Sequence, residues 1–293
     1  MIVDERYKLN NGQRIPKVAL GTWQVSDDEA KAVVESSIAA GYRHIDTAIA
    51  YGNEAGVGRG IRAAMDSQGL HRESIFVTSK IPAEVKTHEG TVACIQESMD
   101  RLDCFHVDMM LIHAPKPWAE MGKPGNNYYA ENLEVWKALE DAYAAGKFRA
   151  IGVSNFQKKH YDALVELCEI KPMVNQIEFH PGYTQPETVE YSQKNGMLVQ
   201  AFSPLGCGTI LGNETLAAIA KKYSKTVAQV CLRFVLQSGL NVLTKSVTPE
   251  RITENAQIFD FELSAEDMAV INAMPELGFT GWLPENAPAD AIV

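Results

Sequence analysis

Short runs of β-branched and other apolar residues alternate along this chain with longer stretches whose apolar positions recur every three or four residues. Eight of the short runs read as strands: Lys17–Gly21, Arg43–Asp46, Ile75–Ser79, Val107–His113, Phe148–Val153, Met173–Glu178, Met197–Ser203 and Asn241–Lys245. Their near-continuous apolar character is that of strands buried on both faces. Between them lie helical patterns with readable starts. Ser26-Asp27-Asp28-Glu29 reads as a capping box, followed by Ala30, Val33, Val34 and Ile38 on one face. Val92, Ile95, Met99 and Leu102 repeat the stripe after the third strand, and Leu133, Trp136 and Leu139 after the fourth. No Gly/Ser linker interrupts the series, so residues 1–293 read as one α/β domain of parallel strands joined by helical crossovers. A closed (β/α)8 TIM barrel is the natural eight-unit arrangement; a doubly wound sheet is the alternative. Ahead of the first strand, Tyr7 to Ile15 carries an Asn11-Gly12 turn and reads as an N-terminal β-hairpin that could plug the barrel floor.

Composition narrows the class. Of 293 residues, 46% are hydrophobic and 22% charged, a globular balance. A chain this long buries a core without disulfide or metal staples. The net charge, 27 − 37 = −10, argues against nucleic acid or an anionic membrane as a partner. A phosphate-bearing ligand must therefore meet a local basic cluster. The five cysteines are odd in number and form no CxxC pair, which fits free thiols in a reducing compartment. The opening residues lack the apolar core of a signal peptide, and no apolar run reaches the roughly 18 residues that span a bilayer. A cytoplasmic location is expected.

In a barrel, chemistry belongs at the carboxyl ends of the strands. Asp46, Lys80 and His113 fall at or just beyond three of those ends, with Tyr51 in the loop after the second strand. Taken singly, each has a structural explanation; together they bring titratable groups from three strands to one rim. Carbonyl reduction needs a hydride donor, a proton donor near the oxygen and groups that stabilise charge there. A tyrosine can give the proton, although its unperturbed pKa is about 10. A lysine ammonium beside it would lower that value, and a carboxylate would hold the lysine charged.

The stretch Gly41-Tyr42-Arg43-His44-Ile45-Asp46-Thr47-Ala48, then Tyr51-Gly52-Asn53-Glu54, closely resembles the signature of the aldo-keto reductase family. Lys80 after the third strand and His113 after Asp108-Met109-Met110-Leu111-Ile112 extend the resemblance, which runs from about Leu9 to Asn255. It implies a catalytic set of Asp46, Tyr51, Lys80 and His113, with Tyr51 as general acid, Lys80 and Asp46 tuning it, and His113 orienting the carbonyl. It also implies a nicotinamide cofactor bound without a Rossmann domain. Gly21-Thr22-Trp23 would let the cofactor backbone approach; Ser154, Asn155 and Gln176 resemble the carboxamide-binding groups; Phe202 resembles the aromatic that stacks on the ring. Ser203-Pro204-Leu205-Gly206-Cys207-Gly208 looks like the pyrophosphate loop. In Lys245-Ser246-Val247-Thr248-Pro249-Glu250-Arg251, Thr248 can cap a helix with Pro249 at its first position, placing free amides beside two cations. In the family this segment grips the adenosine 2′-phosphate, with Glu254 and Asn255 near adenine. A Rossmann site for NAD would instead carry an acidic residue on the ribose. The expected cofactor is NADPH.

Other patterns point elsewhere and are weaker. Gly56-Val57-Gly58-Arg59-Gly60 does not match GxGxxG and follows a helix start, so it reads as helix packing. Glu178 and His180 are too few for a zinc set, and no metal is expected. Cys207 has no neighbouring base to make it a nucleophile. Where many relatives carry tryptophan after the histidine, this chain has Ala114-Pro115; Trp118, in the loop from Lys116 to Glu131, is the candidate replacement. Trp23, Tyr51, His113 and Trp118 are the candidate substrate contacts, and Trp282 could reach over the mouth of a fairly open site. The expected activity is NADPH-dependent reduction of aldehydes, keto sugars or dicarbonyls to alcohols, by a monomer as is common in the family. A cofactor-binding sensor on the same fold and a metal-dependent sugar isomerase are the rival readings.

Overall fold

The computed structural model describes residues 5–121, 123–277 and 280. At the amino end, β1 (Arg6–Lys8) and β2 (Arg14–Pro16) pair antiparallel. Leu9 N donates to Gln13 O at 2.8 Å and Gly12 N to Leu9 O at 2.9 Å. The Asn-Gly pair thus lies in a longer hairpin loop than the two-residue turn it suggested, with Gly12 at φ 87°, a backbone state glycine adopts without strain.

Parallel pairing then closes on itself. The strands are β3 (Val18–Gly21), β4 (His44–Asp46), β5 (Phe76–Ile81), β6 (Met109–Ile112), β7 (Ala150–Ser154), β8 (Val174–Glu178), β9 (Leu198–Phe202) and β10 (Asn241–Thr244). β10 pairs with both β9 and β3, so the eight strands form a closed barrel and not a doubly wound sheet. All eight expected runs form strands, with shifted ends. β5 continues to Ile81, which places Lys80 inside the ladder opposite Leu111 instead of beyond it. Val107, Phe148, Met173 and Met197 are buried but precede their ladders. Burial extends further than backbone pairing because the hairpin covers the amino end of the barrel. Asn10 donates to Pro172 O at 3.1 Å, Asn11 to Arg149 O at 2.9 Å and the Tyr7 hydroxyl to Leu240 O at 3.2 Å, all residues that lead into strands.

The surrounding helices are α1 (Asp27–Ala39), α2 (Glu54–Gln68), α3 (His88–Leu102), α4 (Tyr129–Ala144), α5 (Lys158–Val165), α6 (Pro186–Lys194), α7 (Glu214–Tyr223), α8 (Val227–Gln237), α9 (Pro249–Ala256) and α10 (Ala265–Asn272). Ser26 caps α1 through its side chain: Oγ accepts from Glu29 N at 3.3 Å and donates to the Glu29 carboxylate at 2.6 Å. The glycine run of α2 is a packing surface. A Cβ at Gly56 would lie 2.1 Å from Asp27 O, and one at Gly58 1.7 Å from Leu102 O, so α1 and α3 approach α2 more closely than any side chain allows. No helix among the described residues is long and apolar enough to cross a membrane, and all five cysteines are free.

Candidate active site

The carboxyl ends of the strands frame a cavity of about 1000 Å³, at the upper end of the range for small-molecule sites. Asp46 ends β4 and Lys80 lies near the end of β5, both buried. Tyr51 ends a 3-10 turn at Ile49–Tyr51, and His113 follows β6 directly. The Lys80 ammonium donates to Asp46 Oδ1 at 2.5 Å, to Thr47 O at 2.8 Å and to the Tyr51 hydroxyl at 3.3 Å. The Tyr51 and His113 rings meet edge to face, with centroids 5.6 Å apart. Asp46, Tyr51 and His113 line the cavity, with Lys80 fully buried behind them.

Electrostatics in this group differ from the expectation at one point. Burial raises the Tyr51 hydroxyl above the ordinary tyrosine value, and the pull of the Lys80 charge does not overcome it. The phenol is therefore not unusually acidic; it keeps its proton at neutral pH. Burial alone would lower Lys80, yet Asp46 and the Tyr51 oxygen hold it above the usual lysine value, so it is an ammonium. Burial pushes Asp46 upward against Lys80 and Gln176, but a contact of 2.5 Å to a cation makes the carboxylate the natural counter-ion. Burial and the Lys80 charge hold His113 well below the ordinary histidine value, which leaves it neutral. Its Nδ1 is buried without a hydrogen-bond partner among the described residues. A buried N–H without an acceptor is the rarer and costlier defect, which favours the tautomer with its proton on Nε2.

Around this group the residues expected to meet a cofactor fall into three sets. Gly21, Trp23, Ser154, Asn155, Gln176 and Phe202 line the cavity from the carboxyl ends of β3, β7, β8 and β9. Gln176 Nε2 donates to Asp46 Oδ2 at 2.8 Å and to Gln200 Oε1 at 3.2 Å, which turns the amide oxygen away from that network. Ser203, Pro204 and Leu205 form one wall, beginning with Ser203 in a left-handed conformation. Lys245, Ser246, Val247, Arg251, Glu254 and Asn255 line the cavity beyond β10. Thr22 is the exception: it is fully buried and its hydroxyl donates to Asp46 O at 3.1 Å, so it braces β4 and does not line the cavity. Thr248 precedes α9 as expected, but its hydroxyl caps nothing; instead its own N–H donates to Ser246 Oγ at 3.1 Å. Glu254 accepts from Thr226 Oγ1 at 2.7 Å and Asn255 donates to Thr244 Oγ1 at 3.1 Å.

Trp118 lines the cavity with its ring edge-on to His113, centroids 5.1 Å apart, and packs against Ala83, Ala114 and Met121. Trp282 lies outside the described residues. Cys207 is exposed and lines the cavity 3.5 Å from Ser203 Oγ. Glu178 and His180 face each other at 3.3 Å, and no group of three or more residues able to hold a metal occurs among the described residues. Sequence reasoning missed Gln24, Leu211 and the stretch Thr226, Val227 and Ala228, which also line the cavity. A signal for the last existed: Thr226 and Gln229 form a capping box, with N–H to side-chain contacts of 3.1 and 3.3 Å, that marks a helix start.

A sequence model of the Aldo/keto reductase family matches residues 17–276. The chain is 47% identical over 268 residues to the glyoxal reductase of Bacillus subtilis, covering 91% of each protein. It is 40% identical over 282 residues to a 9,11-endoperoxide prostaglandin H2 reductase of Trypanosoma cruzi, covering 95% of this chain and 94% of that one. Among solved structures, an aldo-keto reductase of Bombyx mori in complex with NADP superposes with a TM-score of 0.83 at 38% identity, covering 91% of each chain. The chain belongs to the aldo/keto reductase family of oxidoreductases.

Proposed function

We propose that this protein reduces aldehydes and ketones to alcohols with NADPH, using Tyr51 as the proton donor. One observation carries the reading: a protonated phenol, a buried lysine–carboxylate pair and a neutral imidazole converge at a cavity that also presents two cations without an ion-pair partner among the described residues. Lys245 and Arg251 have no ion-pair partner among the described residues, although the chain as a whole carries a net charge of −10. Exposed cations without an ion pair in an acidic protein fit a phosphate, and the 2′-phosphate of NADPH is the one that distinguishes it from NADH. Gln176, its amide fixed by Asp46 and Gln200, fits a carboxamide, and Phe202 fits a stacked ring.

The bound cofactor supplies the hydride to the carbonyl carbon. Tyr51 gives its proton to the carbonyl oxygen as charge develops there; because burial keeps the phenol protonated, the donor form is the resting form. Lys80 donates to the Tyr51 oxygen and stabilises the phenolate left behind, while Asp46 keeps Lys80 charged and in place. His113 donates from Nε2 to the same carbonyl oxygen and orients it. Trp23 and Trp118 form apolar walls for the substrate, and small aldehydes, keto sugars and dicarbonyls are the class that fits. The glyoxal reductase of Bacillus subtilis acts, by its name, on such a dicarbonyl.

The test is Tyr51→Phe. Carbonyl reduction should fall about 10³-fold, within the range of a positioned acid, while NADPH still quenches protein fluorescence with an unchanged Kd. Retention of most of the activity removes Tyr51 from the role.

A further inference from the structure

Three successive backbone carbonyls follow β6, and each accepts a hydrogen bond from a side chain of a different element. Asn155, beyond β7, donates to His113 O at 3.0 Å. Lys86, in the loop between β5 and α3, donates to Ala114 O at 3.0 Å. Asn132, in the first turn of α4, donates to Pro115 O at 2.8 Å. The last two donors are themselves joined, because Lys86 Nζ also donates to Asn132 Oδ1 at 2.8 Å. This stretch begins with His113 and leads directly to Trp118, whose ring stands edge-on to His113. It lies outside any strand or helix, so nothing in the regular backbone pairing holds it beyond His113 N, which donates to Ile81 O at 3.1 Å.

We propose that Lys86 and Asn132 are positioning residues for carbonyl reduction: joined to each other, they clamp the His113–Pro115 segment and so fix both the imidazole and the Trp118 wall against Tyr51. The proposal rests on the reading of Tyr51 and His113 as the groups that handle the carbonyl.

A lysine is an expensive way to hold a carbonyl. Burial pushes the Lys86 amine down to about 7, with Glu84 and Glu131 opposing the shift from a distance and neither within ion-pair reach. A group whose charge is disfavoured by folding lowers stability at neutral pH. Both of its hydrogen-bond partners are acceptors, so ammonium and neutral amine alike can hold them, while the Tyr128 ring 6.0 Å from Lys86 Nζ favours the ammonium. A side chain that weakens the fold while organising a site is expected where function, not stability, retains it.

That conflict supplies a test which separates positioning from mere structure. Lys86→Met keeps the apolar stem and removes the donors. It should leave the Tm unchanged or raised and the Kd of NADPH within about twofold. At the same time kcat/KM for the carbonyl should fall about 10- to 100-fold, the range for a misplaced catalytic group. Lys86→Gln, which keeps an N–H2 donor, should recover part of that loss, and Asn132→Ala should reproduce it. A second readout needs no turnover: the Trp118 indole N–H resonance should shift in Lys86→Met, while that of Trp136, deeper along α4, stays. If the wild type reduces no carbonyl, the proposed function fails and the indole resonance alone judges the clamp. Unchanged carbonyl kcat/KM, a loss matched by cofactor Kd and Tm, or an unmoved Trp118 resonance overturns the proposal.

Discussion

At the amino end of the barrel Asp108 is fully buried. It accepts from Arg72 at 2.8 Å, Arg149 at 3.1 Å and Val77 N at 2.9 Å, with His106 at 3.5 Å. Arg149 passes the connection to the hairpin through Gln13 at 3.1 Å. At the carboxyl end, Lys245 and Arg251 stand exposed without any ion-pair partner among the described residues. Backbone strain divides the same way. Of the nine non-glycine residues with positive φ among the described residues, Gln24, Tyr128, Asn155, Gln185, Ser203 and Cys207 lie in loops that follow barrel strands at their carboxyl ends. The floor satisfies its charges internally; the rim, apart from its buried Lys80–Asp46 pair, leaves charge and strain for something else to meet. In a (β/α)8 barrel the first arrangement is what stability requires and the second what binding requires.

The comparison predicts that mutations at the two ends act on different observables. The largest stability effect belongs to the floor. Asp108→Ala strands the buried Arg72 guanidinium and should lower unfolding free energy by about 3–5 kcal/mol, measured by urea denaturation, with kcat per folded molecule preserved. If activity per folded molecule falls in proportion, the two ends are not separable.

A smaller effect is expected from pH, and it arises within one strand. Asp46 and His44 both lie on β4, one at the rim and one two residues toward the floor. Burial above all, helped by the Lys80 and Arg6 charges, overcomes the opposing pull of Asp108 and holds His44 down at about 3. A histidine whose folded value lies below its unfolded one of about 6.5 contributes its full stability above that pH and loses it as pH falls toward 3, because only the unfolded chain takes up the proton. Between pH 6.5 and 4.5 this amounts to about 2–3 kcal/mol at 1.4 kcal/mol per unit. Urea midpoints for wild type and His44→Asn across that window isolate the contribution; parallel curves would exclude it.

Much of this contrast could be read from the residues, and what could not has a physical cause. The strands showed themselves because parallel strands buried on both faces are apolar almost without interruption, Lys80, Asp46 and His113 because titratable groups break such runs at or near their ends, and Tyr51 through the motif in the loop that follows the second strand. The strand ends were less visible: Met173 and Met197 are as buried as the ladder beside them, since the hairpin extends burial past pairing. The direction of the Tyr51 shift was not legible at all. Sequence reveals that a cation sits near the phenol but not how completely both are removed from water, and it is the removal that wins. Lys86 and Asn132 escaped notice for a related reason. A lysine in a polar loop looks solvated until the Ala114 carbonyl and the Asn132 amide oxygen, from other parts of the chain, are brought to its amine.

The smallest effect predicted is the one that tests whether the rim's open charges face a ligand. Arg251→Ala removes an exposed guanidinium that pairs with no carboxylate among the described residues, so Tm should move by no more than about 1 °C. If Arg251 meets the 2′-phosphate, the Kd of NADPH should rise about 10- to 100-fold, the equivalent of about 1.5–3 kcal/mol for a hydrogen bond between charged groups, while the Kd of NADH, which has no phosphate there, stays within about twofold. Fluorescence titration of both cofactors against wild type, Arg251→Ala and Lys245→Ala measures the ratio directly. Equal weakening of the two cofactors would mean that these cations act on the shared pyrophosphate or on the fold of the loop. A fall in Tm would mean that the rim, like the floor, uses its charges to hold itself together.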